Sequence, residues 1–253
     1  MTPDSQAIIV LGMFRSGTSM TAGILSRLGV DMGEDVLEPS RANPTGYFEA
    51  KDFFQLSRNI LRAAGGNAHE PPSRSSILAQ EASFRRSIRE AVAGRGASVW
   101  GWKDPSTCLT ADLFLPVLPN PHVVVCIRNA DDVAASYAKM VDLLPEQILD
   151  LRQIYNDRIE EFLADHPSLP VCQIEFGALT TEPERVIDRL IQSLKITVTP
   201  VQHRNACEFV LPASSIRWMR YKNLVRSGIE RPGDILPYVK KRLFYFVERT
   251  AHR

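Results

Sequence analysis

Ile8–Met20 reads IIVLGMFRSGTSM. An apolar run stops at Gly12, a short polar loop passes through Gly17, and TAGILSRLGV follows. In that continuation Met20, Ile24 and Leu28 recur every fourth residue with Leu25 beside them, the spacing of one helix face. The reading is a short buried strand over Ala7–Leu11, a glycine-bounded loop, and a helix over Ser19–Leu28 that Gly29 ends. Such a loop gathers backbone N–H groups around an anion at the positive end of the helix dipole. Gly12 and Gly17 are spaced as in GxxxxGK[ST], but Thr18 stands in the lysine position and Ser19 follows. Without that lysine a grip on a β/γ-phosphate pair is not expected. Arg15 instead offers a planar fork suited to one tetrahedral anion, and Ser16, Thr18 and Ser19 add hydroxyl donors. Taken alone, the stretch also fits a plain strand-to-helix turn in which Thr18 or Ser19 caps the helix.

Further along, strands and helices alternate. SVWGWKDP (Ser98–Pro105) reads as a strand that stops at Pro105. HVVVCIR (His122–Arg128) has the continuous apolar run of a parallel strand buried on both faces, and PVCQIEF (Pro170–Phe176) reads as another buried strand. Helical periodicity marks Phe53–Ala64, Glu81–Ala93, Asp131 or Asp132 to Met140, Ile148–Leu163 and Pro183–Leu194. The segments DMGEDVLEPSRANPTGYFEAKD and GGNAHEPPSRSS read as loops. This order predicts an α/β fold of the P-loop-like, three-layer kind: a parallel sheet with right-handed crossovers, flanked by helices. No domain boundary is visible, so residues 1–253 are read as one domain, with the part after residue 200 the least legible.

Composition narrows the function classes. The 253 residues carry a net charge of +1, which gives nucleic-acid binding no support from bulk charge. Cys108, Cys126, Cys172 and Cys207 are far apart and form no CxxC pair, so free thiols in a reducing compartment are expected. The five histidines form no HxxxH or HxH pair, and no zinc site is expected. MTPDSQAIIVLG lacks a basic stretch followed by a long apolar one, and no run approaches the ~20 apolar residues that span a bilayer. A cytoplasmic protein is the expectation.

VVVCIRNADDVAASY places Arg128 at a strand end and Ser136 eight residues on, in the next helix. WGWKDPST places Lys103 at another strand end. The C-terminal ends of parallel strands form the ligand edge of such sheets. Taken singly, Arg128 could pair with Asp131 or Asp132, Lys103 with Asp104, and Ser136 could be a surface hydroxyl. Together with FRSGTSM and NPTGYFEAKD, the set resembles the sulfotransferases, especially the bacterial carbohydrate-type enzymes and more distantly the tyrosylprotein and Golgi types. The resemblance covers Ala7–Asn59 and Val99–Met140 well, and CQIEFGALTTEPERVIDRL loosely. It implies that Arg15, Ser16, Gly17, Thr18 and Ser19 hold the 5′-phosphosulfate of 3′-phosphoadenosine 5′-phosphosulfate. It also implies that Arg128 and Ser136 bind the 3′-phosphate, and that Lys103 sits near the sulfuryl group. The Gly-rich GxxGxxK segment of the cytosolic small-molecule sulfotransferases is not recognised, which leaves the adenine side unassigned.

An acceptor hydroxyl has to lose a proton, and a carboxylate is the better candidate where no histidine stands in a motif. NPTGYFE resembles a segment of the bacterial enzymes in which the glutamate is a plausible base, so Glu49 is the first choice. Glu34, in MGED, is the second, and Asp52 is placed to assist. Tyr47 and Phe48 suit either a sugar face or the core, and His69 is a lone loop histidine. RWMRYKNLVR (Arg217–Arg226) is basic with aromatics interleaved, suited to the nucleotide, to an anionic acceptor, or simply to solvent. LPYVKKRLFYFVERTAHR (Leu236–Arg253) reads either as a basic helix for peripheral contact with an anionic membrane or as a helix packed on the domain.

The activity implied is sulfuryl transfer to a hydroxyl of a carbohydrate or glycolipid acceptor, with Glu49, Lys103 and Arg15 catalytic and no metal required. One alternative is a P-loop kinase or NTPase with an aberrant loop, against which HVVVCIR ends in Arg where a Walker B strand would carry Asp. The other is a non-catalytic nucleotide-binding homologue.

Overall fold

The computed structural model describes residues 5–37 and 46–210. Four strands, β1 (Gln6–Leu11), β2 (Val99–Lys103), β3 (Pro121–Ile127) and β4 (Val171–Glu175), form one sheet in the order β2-β1-β3-β4. Every pairing is parallel, with Val10 beside Lys103, Leu11 beside Val125 and Ile127 beside Glu175. The chain therefore leaves β1 for β2 on one side and then crosses to β3 on the other. The crevice between β1 and β3 is the switch point where such sheets bind ligands.

Side chains alternate across the sheet with period two. Ala7, Ile9, Leu11, Trp100, Trp102, Val123 and Val125 face one core, and Ile8, Val10, Val124, Cys126, Cys172 and Ile174 face the other. The first core is closed by α2 (Lys51–Ala63), α3 (Arg74–Leu78), α4 (Glu81–Ala93), α5 (Thr107–Phe114), α6 (Ala130–Tyr137) and α7 (Pro145–Asp165). The second is closed by α1 (Thr18–Arg27), α8 (Phe176–Thr181), α9 (Pro183–Leu194) and α10 (Pro200–Phe209). The result is the expected three-layer α/β sandwich. Gly101 lies between the two tryptophans of β2 because a Cβ there would come within 2.5 Å of the Ile8 carbonyl oxygen.

Three local readings change. β4 is an edge strand whose residues alternate exposed and buried, with Gln173 and Glu175 outward, and it is not buried on both faces. α5 and α8 fall where the sequence pattern predicts no helix. α3 takes up the end of the GGNAHEPPSRSS segment, where Ser73 caps it by accepting from Ser76 N (3.1 Å). The remainder of that segment is pinned: Asn67 Oδ1 accepts from the backbone N–H of His69 and Glu70, and the buried Tyr155 donates to the Ala68 carbonyl (2.9 Å). All four cysteines are free. Burial pushes the Cys108 and Cys126 thiols up to about 12, so they stay protonated at neutral pH. Among the described residues no helix is long and apolar enough to cross a membrane. The segments Arg217–Arg226 and Leu236–Arg253, and residues 43–45 of the NPTGYFE turn, lie outside the described residues.

Candidate functional site

The loop between β1 and α1 turns on residues that only special backbone geometry allows. Arg15 has φ 68° and Gly17 φ 97°, both in the left-handed region. Gly17 takes the cap position of α1 with no side-chain cap of its own. The helix N–H groups and dipole are thereby turned to the β1–β3 crevice rather than closed off by Thr18 or Ser19, as the plain-turn reading would have it. The loop is fixed from below: Gly12 N donates to Cys108 Sγ (3.1 Å), and Ser16 N donates to the Met13 carbonyl (3.1 Å).

Arg15, Arg128 and Ser136 meet on the β3 side. Arg15 Nε donates to Ser136 Oγ at 2.9 Å, which brings the loop to α6. Arg128 Nη1 donates to the Arg15 carbonyl at 3.1 Å. Its guanidinium also lies over the Phe176 ring, 4.3 Å from the centroid. Arg128 Nε is buried without a hydrogen-bond partner, and the nearest carboxylate, Asp132, is 3.9 Å away. The surface pair read from sequence is therefore a loose one. Two guanidiniums, a hydroxyl and a helix N-terminus meet here, donor types that suit a multiply charged anion.

On the β2 side, Lys103 closes the strand and is 1% exposed. Its ammonium does not pair with Asp104. It donates to Glu49 Oε1 in a close buried ion pair, and to Ser19 Oγ at 3.2 Å. Burial lowers the Lys103 pKa while the Glu49 charge opposes that shift. The two candidate catalytic residues, 54 positions apart, are thus in contact, with Ser19 of the loop as their third member. Glu49 is 6% exposed. Glu34 is exposed in the same connecting segment, where its carbonyl accepts from Val36 N at 3.2 Å. Asp52 is also drawn off: it pairs with Arg95, Nη2 to Oδ1 2.6 Å. Phe48 turns to the second core, edge-on to Phe209 at 6.1 Å between centroids, as a core residue rather than a sugar platform.

Several contacts have no sequence motif. Phe176, at the end of β4, fills the space a Cβ on Gly17 would need, 2.5 Å from its Cδ2, while its ring carries Arg128. Arg152 of α7 donates to the Arg128 carbonyl at 3.3 Å. Phe14 of the loop stacks on Tyr137 (5.2 Å between centroids) and on His69 (5.8 Å), and His69 Nε2 bonds the Tyr137 hydroxyl at 2.7 Å. His69 thereby docks its own loop on the β1–α1 loop. Burial and the nearby Arg58 lower its pKa, which favours the neutral ring. Aromatic residues at strand ends and loops were the available signal, but nothing in their spacing pairs them.

A family model described as "Sulfotransferase family" matches residues 7–200. Among curated proteins none matches. Among solved structures, the sulfotransferase domain of the Synechococcus PCC 7002 olefin synthase is 11% identical with a TM-score of 0.50, over 78% of this chain and 76% of that one. The sulfotransferase domain from the curacin biosynthetic pathway is 17% identical with a TM-score of 0.49, over 78% and 76%. A Mycobacterium avium sulfotransferase is 14% identical with a TM-score of 0.45, over 90% and 78%.

Proposed function

The chain belongs to the sulfotransferase family, and we propose that it transfers a sulfuryl group from 3′-phosphoadenosine 5′-phosphosulfate to the hydroxyl of a carbohydrate or glycolipid acceptor. The observation that carries this reading is the division of the site. One half gathers two arginines and a hydroxyl beside the loop, and the other holds a lysine and a carboxylate against the same loop.

In this reading the N–H groups of Gly17, Thr18 and Ser19, with the Ser16 hydroxyl and Arg15, hold the 5′-phosphosulfate. Arg128, with its partnerless Nε, and Ser136 take the 3′-phosphate. Glu49 accepts the acceptor's proton as the hydroxyl oxygen bonds to sulfur. The bond from sulfur to the bridging oxygen breaks, and its electron pair leaves with adenosine 3′,5′-bisphosphate. Lys103, already in contact with Ser19 and Glu49, stabilises the charge gathering on that oxygen. The demands resemble those of phosphoryl transfer, where positioning and electrostatics supply most of the catalysis. Fixed cations and loop donors meet those demands without a metal ion. The protein acts in the cytoplasm, where its free thiols persist.

The test is a screen with radiolabelled donor over sugar, polysaccharide, glycolipid and phenolic acceptors, with labelled ATP–Mg run in parallel. Label transfer from the sulfuryl donor to a carbohydrate supports the proposal. Transfer to phenols alone would move the acceptor class, and transfer from ATP alone would replace the reading with a kinase.

A further inference from the structure

Behind the Lys103–Glu49 pair lies a second carboxyl group with no part in the reading above. Asp104 is 2% exposed. Its Oδ1 accepts from Ser106 N at 3.1 Å, while Oδ2 is buried without a partner. The Ser57 hydroxyl of α2 is fully buried, has no other hydrogen-bond partner, and lies close enough to Asp104 to bond it. The groups facing Asp104 come from three helices, one connecting segment and the strand end: Glu49 ahead of α2, Ser57 on α2, Cys108 on α5, Tyr155 on α7, and Lys103 next to it. Cys108 and Tyr155 are neutral, since burial raises both. Among these groups one ammonium faces two carboxyls, and the ammonium is bonded to Glu49.

Two buried carboxylates sharing one cation would leave a net negative charge away from water, next to a loop that has to receive an anion. Low dielectric and like charge both oppose that state. We propose that Asp104 is a positioning residue that works as an uncharged acid, leaving the Lys103 ammonium wholly to Glu49 and to the anion in the loop. A Ser57 hydroxyl donating to Oδ2 would favour the carboxylate, but burial and the Glu49 charge outweigh it, and the protonated Oδ2 can donate to the Ser57 oxygen instead. Burial, with the Glu49 charge second, raises Asp104 to about 7. The uncharged acid therefore gives way to carboxylate as pH rises through the neutral range. The ionised form competes with Glu49 for Lys103 and repels the donor.

The test begins with the whole protein carrying carbon-13 in the aspartate γ-carboxyl, which separates Asp104 from Glu49 without any substitution. One aspartate carboxyl titrating in the neutral range, and missing from Asp104→Asn, is the expected result. If every aspartate carboxyl titrates in the ordinary acidic range, Asp104 is an ordinary carboxylate and the proposal falls. The second arm rests on the sulfuryl-transfer reading. Asn keeps the shape of the protonated acid and the Ser106 contact, so Asp104→Asn should match wild type below neutral pH. Wild type should lose half its rate at the midpoint and about tenfold a pH unit above it, while Asp104→Asn holds its rate. An unchanged alkaline limb in Asp104→Asn, or a collapse of its rate at every pH, would overturn the proposal. Should the protein sulfate nothing, the carboxyl titration still decides the point, and only the proposed function fails.

Discussion

The two halves of the site handle charge in opposite ways. Toward β3, Arg15 donates to the Ser136 hydroxyl and Arg128 to a backbone carbonyl, with Asp132 standing 3.9 Å from Arg128. Toward β2, Lys103 is buried and closed on Glu49. A guanidinium stays charged without a close carboxylate, so Arg128, 3.9 Å from Asp132, can turn its charge to a ligand. A buried ammonium does not, because burial drives it toward neutrality. The second half therefore carries its counter-charge inside the protein. The difference separates binding from chemistry: the arginine half suits an anion that arrives and leaves, and the lysine half suits a proton and a developing charge.

Substitutions that break one half and spare the other test this division. The largest effect is expected at Glu49. Glu49→Gln should lower kcat by about 10²–10⁴ and, by leaving Lys103 buried and unpaired, should also cost about 3–5 kcal/mol of stability. Adding Lys103→Met to Glu49→Gln should restore much of that stability in thermal unfolding and none of the activity. Stability that does not respond to the second substitution would mean that the pair contributes little to the fold.

Next is Arg128→Ala. Its loss of a charge-assisted contact should reduce the preference for adenosine 3′,5′-bisphosphate over 5′-AMP by about ten- to a hundredfold, with the melting temperature nearly constant. Equal losses for both nucleotides would place Arg128 elsewhere than at the 3′-phosphate. Gly17→Ala should weaken bisphosphate binding by about tenfold, since it pushes a Cβ into Phe176 at a left-handed backbone. Phe176→Ala should relieve the clash but not the backbone strain, and full recovery in the double variant would contradict that account. The smallest effect is expected at Glu34, where Glu34→Gln should change kcat by less than about twofold. A dead Glu34→Gln beside an active Glu49→Gln would reverse the choice of base.

How far the sequence foretold this depends on whether the decisive contacts are local. β3 was legible because both its faces are buried, so it reads as one apolar run. α9 and α4 were legible to the residue because each has one buried stripe and one polar face. α5 escaped because nearly every residue in TCLTADLF is buried, which erases the periodicity that marks a helix. β4 reads as buried because its short run is mostly apolar, although Cys172 and Ile174 alternate with Gln173 and Glu175, as befits an edge strand. Arg15 stands out as a motif position in the first loop, and Lys103 and Arg128 as motif positions at strand ends. The bond between Lys103 and Glu49 does not, and neither do the roles of Phe176 and Arg152, because such contacts depend on how distant segments of the chain pack together.

The most direct measurement is a titration of the wild-type protein, in EDTA, with adenosine 3′,5′-bisphosphate, with 5′-AMP, and, with magnesium restored, with ATP. The account predicts that the bisphosphate binds in the presence of the chelator, at least about tenfold more tightly than 5′-AMP, and more tightly than ATP–Mg. Equal binding of the bisphosphate and 5′-AMP, or a strict need for magnesium with ATP preferred, would contradict the assignment of the arginine half to a 3′-phosphate and with it the proposed donor.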